Sequence, residues 1–243
     1  MTNTLIIEDW GRVPYQTAWE LQATYQQDLV TMKRAARQRK EVCEKGLHYL
    51  FLCEHDPVFT LGKSGNDNHL LVNEDFLKER GMAFHRINRG GDITYHGPGQ
   101  LVAYPILDLE FFFTDVHRYI RTLEEIVIRT MAEYGLEGRR IKEYTGVWTG
   151  EHPARKICAI GVHLSRWVSM HGLAFNINTD LTPFDFIVPC GINQPGMAVT
   201  SMQRELDQGI DMELMKHTFV RHFVDLFNIT VCEERKKPAI PSL

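Results

Sequence analysis

The clearest hydrophobic pattern in the chain is helical: Ile120, Leu123, Ile126, Val127 and Met131 recur at the spacing of one helix face. Thr114 or Asp115 can cap this helix, and Gly135 can end it. Two further helices are predicted, one beginning beside Pro14 and running to about Glu44, and an amphipathic one from Met212 to Phe227.

Shorter apolar runs, each bounded by glycine, proline or charged residues, predict strands. They are residues 5–7, 47–53, 82–87, 101–107, 146–149, 156–164 and 167–178. Helices and strands are interspersed without a regular βαβ period, which argues against a Rossmann arrangement. We therefore expect an α/β fold of the α+β type, with a mixed, largely antiparallel sheet flanked by helices. Residues 1–231 are predicted to form a single domain, followed by a charged, proline-containing tail at 232–243.

Alternation along the last predicted strand separates its side chains into two faces. One face carries Trp167, Ser169, His171, Leu173, Phe175 and Ile177, and the other carries Val168, Met170, Gly172, Ala174 and Asn176. The small side chains of Gly172 and Ala174 leave room for an apolar ligand or for a tightly packed helix, and the helix is the commoner explanation. A histidine such as His171 within a strand is more often hydrogen-bonded structure than catalyst, although it titrates near neutrality.

Composition narrows the class of protein. A chain of 243 residues with 44% hydrophobic content can bury a full core. The net charge of −4 gives no overall attraction to nucleic acid or to an anionic membrane. The first residues lack the pattern of a signal peptide, and no apolar run reaches about 18 residues. We expect a cytoplasmic protein that binds neither nucleic acid nor membrane.

The five cysteines indicate neither a metal site nor a disulfide framework. They stand at positions 43, 53, 158, 190 and 232, an odd number without regular spacing, and no Cys-x-x-Cys pair is present. Free thiols in a reducing compartment are the simple interpretation. No metal and no cofactor are predicted.

Cys190 and Lys156 are the best candidates for chemistry. Cys190 lies between proline and glycine, in a loop that can expose its sulfur, and a nearby cation or base such as Lys156 would favour the thiolate. Alternation from Lys156 places Cys158 on the same strand face, so Cys158 is a rival nucleophile. It ranks second, because a cysteine between Ile157 and Ala159 in mid-strand is usually a small buried hydrophobe.

Residues 89–100, Arg-Gly-Gly-Asp-Ile-Thr-Tyr-His-Gly-Pro-Gly-Gln, are either a backbone cradle for a ligand or a pair of tight turns. Within it, Gly97-Pro98-Gly99-Gln100 has neither the lysine nor the length of a phosphate-binding loop. Polar side chains among the glycines favour the cradle, because glycine lets backbone approach a ligand closely.

A basic run near the end of the first helix offers a possible docking surface for acidic partners. It comprises Lys33, Arg34, Arg37, Arg39 and Lys40. A solvated helix face, whose cations favour the helix C-terminus, is the commoner explanation.

Several of these motifs together resemble the lipoyl(octanoyl) transferases. They are residues 89–102, Gly146-Val147-Trp148, residues 156–162 (KICAIGV), 171–176 (HGLAFN), 189–192 (PCGI) and 199–201 (VTS). The matches follow the order of that family over roughly residues 5–230. Departures at Ala103, Cys158 and Phe175 touch neither Lys156 nor Cys190.

The resemblance implies a fold like that of lipoate and biotin protein ligases. It also implies transfer of an octanoyl or lipoyl group from acyl carrier protein to a lysine of a lipoyl domain, in 2-oxoacid dehydrogenase complexes or the glycine cleavage H protein. By the same resemblance, Cys190 holds the acyl group as a thioester and Lys156 lowers the pKa of the thiol and relays protons. The implied substrate contacts are Arg89, Gly90, Gly91, Asp92, Ile93, Thr94, Tyr95, His96, Ala159, Ile160, Gly161, Gly172, Leu173 and Ala174.

Other functions remain open at this point. An ATP-dependent lipoate or biotin ligase of the same fold would activate a free acid and need no acyl-cysteine, so Cys190 and Lys156 argue against it. A non-catalytic protein that only binds lipoyl domains or carrier protein predicts no covalent intermediate. A thiol hydrolase would differ in passing the acyl group to water.

Overall fold

Two β-sheets and five α-helices make up the described part of this computed structural model, residues 2–40, 45–189 and 196–236. The strands are β1 (Thr2–Arg12), β2 (Lys45–Glu54), β3 (Val58–Leu61), β4 (Ala83–Arg86), β5 (Ile93–His96), β6 (Gln100–Ile106), β7 (Arg139–Ile141), β8 (Tyr144–Thr149), β9 (Ala154–Ser165), β10 (Val168–Asn176), β11 (Met197–Val199) and β12 (Thr230–Lys236). The helices are α1 (Tyr15–Gln38), α2 (Glu74–Glu79), α3 (Val116–Glu133), α4 (Met202–Leu206) and α5 (Met212–Phe227).

The larger sheet has the strand order β12-β1-β2-β6-β10-β9-β8-β7, with β11 added beside β9. Neighbours from β2 to β7 pair antiparallel, whereas β12–β1, β1–β2 and β11–β9 pair parallel. The smaller sheet has the order β4-β3-β5. The predicted fold class, a mixed and largely antiparallel sheet flanked by helices, is confirmed.

The two faces of the large sheet are covered by different helices. Helices α3 and α5 pack on one face, where Leu123, Val127, Phe219 and Phe223 are fully buried. Helix α1 packs on the other face, against residues of β2, β6 and β10. Burial of apolar area on both sides of one sheet holds the strands that carry the site in fixed register.

Local signals set the helix boundaries. The Asp115 side chain accepts a hydrogen bond from Arg118 N and so caps α3, and α5 has the predicted bounds. The predicted end of α1 near Glu44 is wrong. The helix ends at Gln38. Arg39 is its C-cap and donates its N–H to Ala35 O, and the next residue, Lys40, has a φ of 56°, which the helix cannot continue through.

The β9–β10 hairpin corrects the predicted strand at 167–178. Arg166 and Trp167 both have positive φ, 51° and 67°, and form the turn, so β10 begins only at Val168. Two-residue hairpin turns with positive φ match the twist of the flanking strands. The two-faced pattern holds at four positions of β10, since Leu173 and Phe175 contact the α3 side while Val168 and Ala174 contact the α1 side. It is wrong for His171, which lines the cavity on the α1 side because its positive φ interrupts the alternation.

The predicted tail is also partly wrong. Residues 230–236 form β12, in which Val231 pairs with Leu5 of β1, so a strand crosses the proposed boundary at residue 231. Residues 237–243 lie outside the described part of the chain.

Candidate active site

A cavity opens on the α1 side of the β9–β10 hairpin and is the natural place for a ligand. It has an empty volume of about 430 Å³, including the space at its mouth. Its walls come from α1, β5, β6, β9, β10 and the loop before β5. The lining residues are Tyr15, Arg89, Gly91, Thr94, His96, Tyr104, Ala159, Ile160, Gly161, His171, Gly172, Leu173 and Ala174.

The space exists because small residues face each other across the hairpin. In the register of the two strands, Ala159 pairs with Ala174 and Gly161 pairs with Gly172. Cross-strand neighbours lie about 5 Å apart and normally fill the space between them with side chains. The pair Ala159–Ala174 leaves a groove along the sheet surface. At Gly161 and Gly172 the place of a Cβ is taken by Gly90 O and Ala103 O, so these glycines let the neighbouring segments close around the groove.

The glycine-rich segment is fixed to the sheet by backbone and by one guanidinium. Gly90 N donates to Val162 O of β9 at 3.0 Å. Arg89 donates from Nη2 to Thr60 O at 2.6 Å and to Thr60 Oγ1 at 3.0 Å. A Cβ on Gly161 would lie 2.7 Å from Gly90 O, so the close approach of the segment requires glycine there.

Ten of the fourteen binding residues implied by the sequence line this cavity. The other four, Gly90, Asp92, Ile93 and Tyr95, lie in the same segment but outside the lining. Ile93 and Tyr95 are buried in the apolar interior of the small sheet. Asp92 turns its carboxylate toward His69 and the backbone of Asn66.

A second, smaller chamber adjoins the cavity and contains Lys156. The two share Thr94, Ala159 and Ala174 as walls. The chamber is further lined by Gln100, Lys156, Asn176, Phe184, Pro189 and Val199. A ligand lying over the small cross-strand pairs would therefore reach the chamber that Lys156 lines.

A β-bulge brings Lys156 into this chamber. Val147 pairs with Cys158, but the next residue of β8, Trp148, pairs with Lys156, so Ile157 is an extra residue in β9. The extra residue shifts the alternation by one position. The Lys156 ammonium lies over the Trp148 ring, 4.8 Å from its centroid.

The prediction that Cys158 shares the face of Lys156 is therefore wrong. Cys158 is fully buried in the apolar core beneath α3. Burial, with a smaller contribution from the Glu124 carboxylate, raises the pKa of the Cys158 thiol, and Lys156 only partly opposes this. A neutral buried thiol is a poor nucleophile. Among the described cysteines, Cys53, Cys158 and Cys232, all are free.

Cys190 lies outside the described residues, so its relation to Lys156 stays a prediction. The chain can be followed to Pro189, the preceding residue, which lines the chamber of Lys156.

His96 belongs to a buried hydrogen-bonded network behind the cavity. Its Nδ1–H donates to Gln100 Oε1 at 2.8 Å, Gln100 Nε2 donates to Asn176 Oδ1 at 2.9 Å, and Asn176 Nδ2 donates to Thr200 O at 2.9 Å. Burial, and then the nearby His55, lower the pKa of His96 well below its usual value. The ring is thus neutral, and its Nε2 faces the Thr60 hydroxyl at 3.4 Å.

His171 has an unusual backbone for a residue within a strand. Its φ is 61°, in the left-handed region, and its N–H donates to Gln22 Oε1 of α1 at 3.0 Å instead of to a strand. The ring contacts Asn88 Oδ1 through Nε2 at 2.7 Å. Burial lowers the pKa of His171 to about 3, helped by Arg89.

Two tyrosines of the cavity wall were not predicted. The Tyr104 hydroxyl donates to His55 Nε2 at 2.7 Å, and Tyr15 stacks on His96 with 5.8 Å between ring centroids. Burial raises the pKa of both phenols. Nothing local in the sequence marks these tyrosines, because each is brought to the cavity by packing.

The basic run on α1 is partly neutralised. Lys33 forms ion pairs with Asp108 at 2.7 Å and Glu110 at 3.1 Å, and Arg37 pairs with Glu110. Two of the five cations therefore hold the helix to the loop after β6 and are not available for docking.

Within the described residues, no group of histidine, cysteine and acidic side chains has the arrangement of a metal site. No described helix has the length and apolar character needed to cross a membrane.

Comparisons with known proteins show the family of the chain. A family model described as the lipoyl protein ligase A/B catalytic domain matches residues 15–224. The chain is 50% identical to an octanoyltransferase of Flavobacterium johnsoniae over 234 residues, which is 95% of this chain and 100% of that protein. It is 46% identical to an octanoyltransferase of Cytophaga hutchinsonii over 234 residues, 94% of this chain and 95% of that protein.

Solved structures support the fold. A crystal structure of lipoate-protein ligase A bound with ATP superposes with a TM-score of 0.70 at 18% identity, covering 99% of this chain and 91% of that one. A putative lipoate protein ligase of Thermoplasma acidophilum gives 0.69 at 18% identity, covering 99% and 90%. The expected likeness to lipoate ligases is thereby confirmed. The chain belongs to the lipoyl protein ligase A/B catalytic domain family and, within it, to the octanoyltransferases, which are acyltransferases.

Proposed function

We propose that the enzyme moves an octanoyl or lipoyl group from acyl carrier protein to a lysine of a lipoyl domain, through a thioester on Cys190. The observation that carries the proposal is the groove over the pairs Ala159–Ala174 and Gly161–Gly172, which leads to the chamber of Lys156 and Pro189. The groove suits an unbranched apolar chain, and the chamber places a lysine beside the residue that precedes Cys190.

The first half-reaction exchanges one thioester for another. The Cys190 thiolate attacks the carbonyl carbon of the octanoyl thioester on the carrier, and a C–S bond to the enzyme forms. The bond to the carrier sulfur breaks, and that sulfur leaves as a thiol after taking a proton from the Lys156 ammonium, which becomes a neutral amine. A free thiol has a pKa near 8.5, and a neighbouring ammonium such as that of Lys156 can lower it to about 7 or below.

The second half-reaction forms an amide. The amine of the acceptor lysine attacks the acyl-enzyme, a C–N bond forms, and the C–S bond to Cys190 breaks. Lys156 accepts the proton lost by the amine and returns one to the Cys190 sulfur. Thioester exchange is nearly balanced and amide formation is downhill, so the reaction needs no ATP.

Binding energy for the acyl group comes from its methylenes. Each methylene buried in the groove contributes about 0.8 kcal/mol, so eight carbons select strongly against short chains and only modestly between adjacent lengths. The acceptors we propose are lipoyl domains of 2-oxoacid dehydrogenase complexes and the glycine cleavage H protein. The cytoplasmic location expected from the sequence remains a prediction.

Intact-protein mass spectrometry tests the proposal. The purified chain is mixed with octanoyl-acyl carrier protein, in parallel with Cys190→Ala and Cys158→Ala. We expect an octanoyl adduct that hydroxylamine removes, that is lost only in Cys190→Ala, and that an added lipoyl domain discharges. An adduct that survives Cys190→Ala would exclude Cys190 as the nucleophile.

The same experiment separates the alternatives. A ligase would modify the lipoyl domain only when ATP and free octanoate replace the loaded carrier. A non-catalytic binding protein would give no adduct with either donor. A thiol hydrolase would release octanoate without a lipoyl domain.

A further inference from the structure

A short stretch after β3 runs alongside the segment that leads to Cys190. Val188 N donates to His69 O at 2.8 Å, and Leu71 N donates to Phe186 O at 2.9 Å. Between these two bonds, Leu70 and Ile187 form an antiparallel bridge. The residues just before the proposed nucleophile are thus held, backbone to backbone, by residues 69–71.

Asp92 holds this stretch to the wall of the acyl cavity. Its Oδ1 accepts from Asn66 N at 3.2 Å and from Ile93 N at 2.7 Å. Its Oδ2 accepts from the Nδ1–H of His69. Asp92 therefore joins a segment that lines the cavity, through Gly91 and Thr94, to the turn that fixes Val188.

We propose that His69 is a positioning residue for the acyl-transfer reaction, acting through its hydrogen bond to Asp92. The bond fixes the direction in which residues 188 and 189 approach the chamber of Lys156, and so fixes where Cys190 is presented. The inference deepens the proposed function and rests on it, because it takes Cys190 to be the nucleophile. The same link relates the position of the acyl cavity wall to that of the nucleophile segment.

The apolar packing of this region does not depend on the imidazole. Leu70, Ile187, Phe184 and Phe186 pack against the buried Tyr95 and Phe59 of the small sheet. The His69 side chain is 29% exposed. Removing the ring should therefore loosen the orientation of the nucleophile segment more than it weakens the fold. A small displacement of a reacting group is enough to slow catalysis substantially.

The test compares three variants of the full chain with the unmodified enzyme. His69→Ala removes the donor to Asp92, and His69→Asn keeps a donor, because asparagine Nδ2 takes nearly the position of histidine Nδ1. Asp67→Asn is the matched control, since Asp67 lies in the same turn but pairs with the exposed Arg86 on the surface. Each protein is assayed for octanoylation of Cys190 by loaded carrier, for alkylation of Cys190 by iodoacetamide across pH, and for its melting temperature.

We expect His69→Ala to lower the octanoylation rate at saturating carrier by about 10- to 100-fold, with the KM for the carrier changed by no more than about twofold. His69→Asn should recover most of the rate, and Asp67→Asn should behave like the unmodified enzyme. The pH profile of Cys190 alkylation should move to higher pH in His69→Ala alone, because the thiol would lose the cation that the proposed mechanism places beside it.

Three results would overturn the inference: an unchanged octanoylation rate in His69→Ala, no recovery in His69→Asn, or a rate that falls only in step with melting temperature while the alkylation profile stays fixed. Failure of the proposed function looks different. In that case the unmodified enzyme itself forms no octanoyl adduct on Cys190, and the link from His69 is then judged by the alkylation profile alone.

Discussion

The β9–β10 hairpin has two faces that contrast sharply. Toward α3, its cross-strand pairs are Cys158–Phe175 and Ile160–Leu173, and the large side chains fill the core. Toward α1, the alternate pairs of the same two strands are Ala159–Ala174 and Gly161–Gly172, and a cavity lies over them. One pair of strands thus provides both the stability of the sheet and the groove that we propose for the acyl chain, because successive residues point to opposite sides.

At Lys156 the alternation of the two faces is interrupted by a β-bulge. Without the extra residue Ile157, alternation would turn the lysine into the apolar core beside Cys158. The bulge instead turns it to the cavity side, over Trp148. A buried cation in the core would be costly without a partner, so the bulge also removes a source of instability.

The largest expected effect is at Lys156. Lys156→Met keeps the length of the side chain over Trp148 and removes its ammonium. Octanoyl transfer should fall by about 10²- to 10⁴-fold, the usual range for loss of a group that moves protons. Steady-state transfer to a lipoyl domain measures this, and a loss of less than about tenfold would show that Lys156 has no central role.

A substitution at Phe175, on the α3 side of the hairpin, should affect stability and leave the reaction unchanged. Phe175→Ala opens a hole beneath α3 and should lower the free energy of unfolding by about 3–5 kcal/mol. Urea denaturation at 25 °C gives that value. The transfer rate per folded molecule should stay near that of the unmodified enzyme, and a parallel fall in that rate would mean that the two faces do not act separately.

A substitution at the neighbouring Ala174, on the cavity side, should affect the reaction more than stability. Ala174→Leu adds side-chain volume to the proposed acyl groove. It should lower kcat/KM for octanoyl transfer by about 10- to 100-fold, as expected if two to three methylenes lose their contacts. Stability should change by about 1–3 kcal/mol at most. Full activity in this variant would place the acyl group elsewhere.

The buried His171 on the cavity side gives a pH signature. Its pKa of about 3 lies below the value near 6.5 of an unfolded histidine, so below pH 6.5 the unfolded chain takes up the proton first. This lowers stability as pH falls, by about 1.4 kcal/mol per pH unit between roughly pH 6 and 4. Burial also lowers the pKa of His48, His55 and His96, so these residues contribute to the measured slope as well. His171→Asn, which tolerates the positive φ, should reduce that slope by the share of one histidine, and urea unfolding at several pH values tests it.

The smallest expected effect is on chain-length preference. Ala159→Val adds two methyl groups directly opposite Ala174 and should shorten the usable groove by about one methylene. The preference for octanoyl over hexanoyl carrier should then fall by about fourfold, the equivalent of 0.8 kcal/mol. A competition assay with equal amounts of both carriers measures the ratio.

Features decided by local pattern were predictable from the sequence. Helix α5 has the bounds expected from its apolar spacing, because amphipathic periodicity is a property of neighbouring residues. The narrow face at Gly172 and Ala174 also followed from alternation within β10. The role assigned to Cys190 came from its neighbours and from the family resemblance, and it stays a prediction.

Features decided by partners distant in sequence were not predictable. The bulge at Ile157 arises from the way β9 pairs with β8. The left-handed φ of His171 is stabilised by the hydrogen bond from its N–H to Gln22 of α1. Asp92 lies between cavity residues in the sequence. Its carboxylate nevertheless accepts hydrogen bonds from Asn66 N and His69 Nδ1, outside the lining of the cavity.

The sequence by itself determined which strands would have a small and a large face, which residues could be nucleophile and cation, and which family the chain resembles. Only the tertiary structure decided that Lys156 lies on the cavity side, that Cys158 does not, and that Tyr15 and Tyr104 complete the cavity wall. The reason is physical: alternation and helical spacing act over a few residues, whereas a bulge, a hydrogen-bond partner or a packed ring depends on which distant segment folds against it.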